Sequence, residues 1–404
     1  MGFNGKYGEI GERYGTPYYL FELTELYKRV SRIKNILGKQ IKLCYAMKAN
    51  PFLIAYLDHM VDCFEVCSPG EYEVCKYEGI DLKKIILSGV YKDEASIRET
   101  FEDQFNGVYT IESESQCELL YKLAKEYDRK IRVLLRMTSG NQFGMNKDEI
   151  EKIIDFEEYK DYFEVEGIHY FSGTQKKNKD LIQTEINEVV EFIKYIKRTY
   201  DIAIKKIEYG PGLFVNYFDT KTDDIDEAYF LADKLKSILE TAEITVELGR
   251  YLVASCGKYI TKIVDTKQNQ DVNYAIVDGG SHHIKYFGQM LGLKAPKTVV
   301  LKEEEHKGTD KEKWMICGAL CSVHDVLLKN YETTHLQIGD LIVFYDAGAY
   351  AMTDTSILFL SRELPCILVE SENGDIECLR NKIKSSAFNT RKDKKEGKNE
   401  CFIG

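Results

Sequence analysis

The chain has 404 residues, 44% of them hydrophobic and 30% charged, with a formal net charge of −11; that length suffices for two domains or for one large α/β barrel with an appendage. The acidic balance argues against a nucleic-acid binder, since phosphate backbones need a basic surface, and no window approaches the roughly 18 uninterrupted apolar residues of a membrane span. Eleven cysteines without a framework fit a reducing, cytoplasmic setting, the opening segment lacks a signal-peptide apolar region, and Cys63/Cys67 and Cys317/Cys321 have no second pair at zinc spacing, so no metal is expected.

In chain order, the strand-like run PYYLFEL (17–23) comes first. Eight short apolar, β-branched runs follow: IKLCYAM (41–47), CFEVCS (63–68), KIILSG (84–89), GVYTI (107–111), IRVLLRM (131–137), VEGIHYF (165–171), KKIEYG (205–210) and ITVELG (244–249). Segments with helical periodicity separate them, among them 115–127, 182–200 and 227–240, and Ser113 with Gln116 has capping-box spacing. Alternating strand and helix implies a parallel sheet, and eight units are the number that closes a (β/α)8 TIM-like barrel; an open doubly wound sheet is the alternative.

From about residue 256 the texture becomes strand-rich, and ENGD (372–375) is a hairpin signal suited to a type I′ turn. The expected organisation is an α/β barrel over 25–255, a mostly β C-terminal domain built from 256–385 together with 1–24, and a charged, frayed tail over 386–404.

If the barrel closes, its strands end on Lys48, Ser68, Ser88, Glu112, Arg136, His169, Gly210 and Glu247 at one mouth, where active sites of this architecture sit. Lys48 stands within CYAMKANP (44–51), at the end of its apolar run and before a proline that stops the strand. A snorkelling lysine is the plain alternative, whereas a desolvated lysine with a lowered pKa is a nucleophile for imine formation with a carbonyl cofactor. IEYGPGLF (207–214) offers a glycine turn whose backbone N–H groups suit a phosphate, although a simple strand-to-helix turn reads the same way. His169, Ser172, Gly173 and Thr174 lie in IHYFSGTQ (168–175), and Glu247 with Arg250 lies in VELGRYL (246–252). A carboxylate can hold a pyridine nitrogen protonated, and a guanidinium can clamp a phosphate.

These motifs, in this order over nearly the whole chain, resemble the ornithine and diaminopimelate decarboxylases, pyridoxal 5′-phosphate enzymes with a β/α barrel followed by a β domain. The resemblance implies that YAMKAN carries the cofactor-anchoring lysine, Lys48, and that IHYFSG carries the ring-stacking His169 and the phosphate-binding Ser172. YGPG matches a triple-glycine motif at Gly210 and Gly212, while Pro211 departs from it and removes one N–H donor. ELGR gives Glu247 to the pyridine nitrogen and Gly249 with Arg250 to the phosphate, and GAY gives Tyr350 to the phosphate. CSVHD stands where the family supplies, across a homodimer interface, a catalytic cysteine, here Cys321, and substrate-binding residues, here Ser322 and Asp325.

The activity so implied is α-decarboxylation of a diaminopimelate-like basic or diamino acid, with Lys48 releasing the product and Cys321 protonating the α-carbon. Diaminopimelate decarboxylases usually place a glutamate after the cysteine, where this chain has Ser322, and VDGGSHH (277–283) places His282 and His283 after the DGG turn. Those departures resemble the branch that decarboxylates a glutamyl group on an acyl-carrier protein. A racemase on the same scaffold and a regulatory cofactor-binding pseudoenzyme are the remaining alternatives.

Overall fold

The computed structural model describes residues 5–218, 225–303 and 310–391. It divides into two compact units, one of Tyr27–Val215 with Asp223–Leu252 and the other of Met1–Leu26, Asn216–Thr222 and Val253–Gly404.

Strand β1 (Tyr18–Glu22) belongs to the second unit. The first unit is a closed parallel barrel of β2 (Ile41–Ala46), β3 (Cys63–Val66), β4 (Ile85–Leu87), β5 (Val108–Ile111), β6 (Ile131–Arg136), β7 (Phe163–Phe171), β8 (Lys206–Gly210) and β9 (Glu243–Leu248). β9 closes it on β2, pairing Ile41 with Ile244 and Cys44 with Glu247. Each of the eight expected runs is a barrel strand, so the doubly wound alternative falls. Buried on both faces, the strands read as near-continuous apolar stretches, and Cys44, Ile86, Val108 and Leu134 pack inside the barrel.

Polar residues that follow a strand are often spent on starting the next helix. Ser68 accepts the Glu71 N–H and caps Pro69–Tyr77, and Asp93 caps Glu94–Glu102. Ser113 accepts the Gln116 N–H, but the Gln116 amide donates to the Gly89 and Val90 carbonyls instead of completing the reciprocal half of a capping box. The box found in the barrel unit is at Asn146 and Glu149.

The second unit centres on a sheet of β10 (Gly257–Asn269), β11 (Val272–Val277), β12 (Thr298–Leu301), β13 (Lys311–Cys317), β14 (Val326–Thr334) and β15 (Leu341–Phe344), joined by β1 and, beyond the short β16 (Glu363–Leu364), by β17 (Cys366–Glu370) and β18 (Ile376–Arg380). β16 pairs separately with β19 (Ile383–Lys384). β1 lies antiparallel to β10 and parallel to β17, with Tyr18 opposite both Ile260 and Cys366. Tyr18, Leu20, Ile260, Val343 and Leu368 form its core with Ile10. Ile10 comes from a helix, Gly5–Tyr14, that the sequence reading did not foresee.

The ENGD turn joins β17 to β18, but Gly374 is its residue with positive φ and Ser371 bonds Asp375, so it is a longer loop than the two-residue type I′ turn. Of the expected frayed tail, residues 386–389 form a short helix, while 392–404 lie outside the described residues. No helix among the described residues is long and apolar enough to cross a membrane.

Candidate active site

β2 ends at Ala46, and the chain turns through the short 3-10 segment Met47–Ala49 that presents Lys48. The turn is held from both sides: the Tyr45 hydroxyl donates to the Asn50 carbonyl at 2.9 Å, and the Asn50 side chain accepts the Phe52 N–H ahead of a second 3-10 turn begun by Pro51. Gly249, at the end of β9, lies against this turn. A Cβ added there would sit 3.1 Å from the Ala46 oxygen and from the Ala49 methyl.

The Lys48 amine is half-buried over the barrel end. Its Nζ lies 2.8 Å from Glu65 Oε2, 3.6 Å from Glu247 Oε1 and 3.7 Å from Cys67 Sγ, with the Phe171 ring centroid at 5.8 Å. Glu65 and Glu247 are themselves buried. Burial and the neighbouring Glu247 raise the Glu65 pKa, against the opposing pull of Lys48. One ammonium thus stands between two carboxylates.

His169, fully buried at the β7 end, places Nε2 3.3 Å from Glu247 Oε2. Desolvation, with Arg136 adding to it, lowers its pKa to about 3, so the ring is neutral at physiological pH. Arg136 is in turn paired with Glu112 at 2.8 Å, both buried. Glu65, His169 and Glu247 bring their ligand atoms within 4.8 Å of one another, a spacing that could hold a metal ion. The Lys48 ammonium already supplies the positive charge there.

Beside this cluster the ends of β7 and β8 build a concave turn. Gly212 has φ +58, and a Cβ on it would stand 1.9 Å from the Gly173 oxygen, so only glycine fits. A Cβ on Gly210 would stand 2.5 Å from the Phe171 ring. The Lys176 N–H donates to the Gly212 carbonyl at 2.9 Å, and the Gln175 side chain both accepts the Val215 N–H and donates to the Val215 carbonyl. The Ser172 hydroxyl at this turn donates to Glu185. Arg250 begins the short helix that follows β9.

The remaining sequence-predicted residues belong to the β unit. Cys321 is exposed, and Ser322 Oγ accepts the His324 N–H. Asp325 is buried and its two oxygens accept backbone N–H groups, from Ser281 at 2.7 Å and from Leu320 at 2.8 Å, so it ties the cysteine loop to the DGG turn. Tyr350 takes up a left-handed backbone, φ 61. His282 and His283 are both buried, with rings 3.7 Å apart, and His283 Nε2 donates to the Glu363 carbonyl.

The sequence reading missed Glu65 as the partner of Lys48, and missed the buried group of Lys176, Glu185 and Tyr209 behind Ser172. The signal for Glu65 was an acid inside the apolar run CFEV, on the same face as Cys63.

Residues 23–254 match the family model described as pyridoxal-dependent decarboxylase, pyridoxal binding domain. The L-glutamyl-[BtrI acyl-carrier protein] decarboxylase of Niallia circulans is 27% identical over 92% of this chain and 92% of its own length. The diaminopimelate decarboxylase of Aquifex aeolicus is 25% identical over 92% and 90%. The crystal structure of Helicobacter pylori diaminopimelate decarboxylase complexed with L-lysine superposes with a TM-score of 0.82 at 22% identity, covering 95% of this chain and 98% of that one.

Proposed function

The chain belongs to the pyridoxal-dependent decarboxylases, and from that premise we propose that it removes the α-carboxylate of an amino acid as carbon dioxide, with Lys48 as the residue that anchors pyridoxal phosphate. The observation that carries this reading is the Lys48 amine held 2.8 Å from Glu65 and 3.6 Å from Glu247 at the end of a closed barrel.

The residues present suit that cofactor. Lys48 offers an amine for its aldehyde, Glu247 a buried carboxylate for its ring nitrogen, and His169 a neutral imidazole for its ring face. Ser172, Gly210, Gly212, Gly249, Arg250 and Tyr350 are the residues we assign to its phosphate, with the close approach of the Gly212 backbone to Gly173 at the Ser172 turn as the local support. When bound, the cofactor supplies an electron sink for the pair left by the departing carboxylate. The protein's part is to keep charge and protons in place. Glu247 would hold a positive charge at the ring nitrogen, Glu65 would take or return a proton at Lys48 Nζ, and the burial of Glu65, His169 and Glu247 limits the water that reaches their side of the cluster.

We further propose that the enzyme is a homodimer in which Cys321 delivers a proton to the α-carbon in the neighbouring chain's site. The exposed thiol beside the exposed Val323 supports this, because an apolar side chain there gains from being covered. Mixing Lys48→Ala chains with Cys321→Ala chains is then expected to restore correctly protonated product, at about a quarter of the wild-type rate for random pairing. Absence of any recovery after subunit exchange rules out shared sites.

For the substrate, a free diamino acid is the first reading and an aminoacyl group on an acyl-carrier protein is the second. The second is favoured by the acids around the cysteine loop, which are already engaged. Asp325 accepts a backbone N–H on each oxygen, Asp354 pairs with Lys285, and Ser322 follows the cysteine. A distal ammonium needs a carboxylate partner, whereas an amide or thioester does not. Carbon dioxide release from diaminopimelate, lysine, ornithine, glutamate and a glutamyl-loaded carrier protein tests both readings. Turnover of the loaded carrier alone selects the second, and no release from any of them by yellow, cofactor-loaded protein overturns the decarboxylase assignment.

A further inference from the structure

Behind Ser172 lies a buried ion pair that the decarboxylation chemistry does not use. Lys176 Nζ is 2.9 Å from Glu185 Oε1 and 2.7 Å from Oε2, and the Tyr209 hydroxyl donates to Oε2 at 2.6 Å. Ser172 donates its hydroxyl to Oε1, the oxygen that Lys176 also contacts. Glu185 and Lys176 are both buried, Glu185 on the helix Lys179–Tyr200 and Lys176 in the loop bonded to Gly212. Such a pair is costly to bury, and packed apolar residues would serve stability as well. Its place, one hydrogen bond behind the turn, gives it a use.

We infer that Lys176 and Glu185 set the affinity of the Ser172–Gly212 turn for a phosphate dianion, Lys176 as the attracting cation and Glu185 as the carboxylate that damps it and holds the Ser172 hydrogen. This rests on the reading that the cofactor's phosphate sits at that turn. A serine hydroxyl has one hydrogen. While Glu185 accepts it, Ser172 presents only lone pairs to an incoming anion. A dianion gains the donor only when the hydroxyl rotates from Glu185 Oε1 toward the phosphate, leaving Glu185 bonded to Lys176 and Tyr209. Glu185 therefore competes with the phosphate for one proton and repels it through a low-dielectric interior, while Lys176 offsets that repulsion. Lys176 and Glu185 are positioning residues for the anion, with opposite signs of effect.

The opposite signs separate this from a structural role. Binding of pyridoxal phosphate and of unphosphorylated pyridoxal to the cofactor-free full chain is measured for each variant, with thermal unfolding as a check on folding. Lys176→Met is expected to weaken pyridoxal phosphate by about tenfold or more and Glu185→Gln to tighten it by about three- to tenfold, with pyridoxal unchanged in both. If Lys176→Met fails to fold, the double variant Lys176→Met/Glu185→Gln removes both charges and is expected to fold and to bind the phosphate form more weakly than Glu185→Gln. Weakening by Glu185→Gln, equal affinities of the double variant and Glu185→Gln, or parallel shifts for pyridoxal would overturn the inference. Ser172→Ala distinguishes the two levels. An unchanged preference for the phosphorylated form in that variant removes the phosphate from this turn altogether, whereas a lost preference with silent Lys176 and Glu185 variants defeats the inference alone.

Discussion

Replacing Lys48 by alanine is expected to lower carbon dioxide release by about three orders of magnitude or more and to leave a protein that no longer holds the cofactor covalently. The side chain is the amine at the barrel end, and its neighbours are acids, a thiol and an aromatic ring, none of which can form an imine. The fold should survive the change. Lys48 is only half-buried, and Glu65, whose pKa burial and Glu247 already raise, can take up a proton once its ammonium partner is gone. The decisive measurements are borohydride trapping of the cofactor and single-turnover carbon dioxide release, beside a thermal unfolding scan. Retention of either within about tenfold of wild type would move the anchor to another residue.

Substituting Glu247 by glutamine is expected to cost about 10²- to 10³-fold in kcat with a much smaller change in KM, because on the proposed assignment of Glu247 to the ring nitrogen the amide keeps the shape but loses the charge. Two features make this residue hard to replace. It is buried, and it is shared between the Lys48 ammonium and the His169 ring, so its charge acts where little water screens it. Glu247→Asp is the companion variant: restoring the charge on a shorter stem should recover part of the loss. A Glu247→Gln enzyme with normal kcat would show that the ring nitrogen draws its partner from elsewhere.

Much of this arrangement was readable from the chain because each barrel strand is a short apolar run with a polar residue or glycine at or within two residues of its end, and a parallel barrel turns such ends toward one mouth. The roles of those polar ends were less readable. Ser68 looks like a site residue but caps a helix, as Ser113 does, since a β/α turn must satisfy helix N–H groups before anything else. Asp325 reads as a ligand by position, and the further job that the sequence does not show is that each of its oxygens accepts a backbone N–H from one of two loops. Glu65 and Glu185 were hidden for the opposite reason. An acid in an apolar run or on an amphipathic helix resembles a solvated residue until the partner, Lys48 or Lys176, is placed by tertiary structure. The helix Gly5–Tyr14 was obscured by its three glycines, and its Ile10 docks into the core that β1 shares.

The position of β1 has a consequence for how the molecule is made. Its partners β10 and β17 are translated only after the entire barrel, so an emerging YYLFE segment has both edges uncovered throughout synthesis of the intervening domain. The barrel, by contrast, holds all its strands in one uninterrupted stretch and can close while the ribosome is still at work. The edges of β1 are covered only once β10 and, more than a hundred residues later, β17 have emerged, an interval in which a chaperone that shields a short aromatic peptide would raise the yield of folded protein.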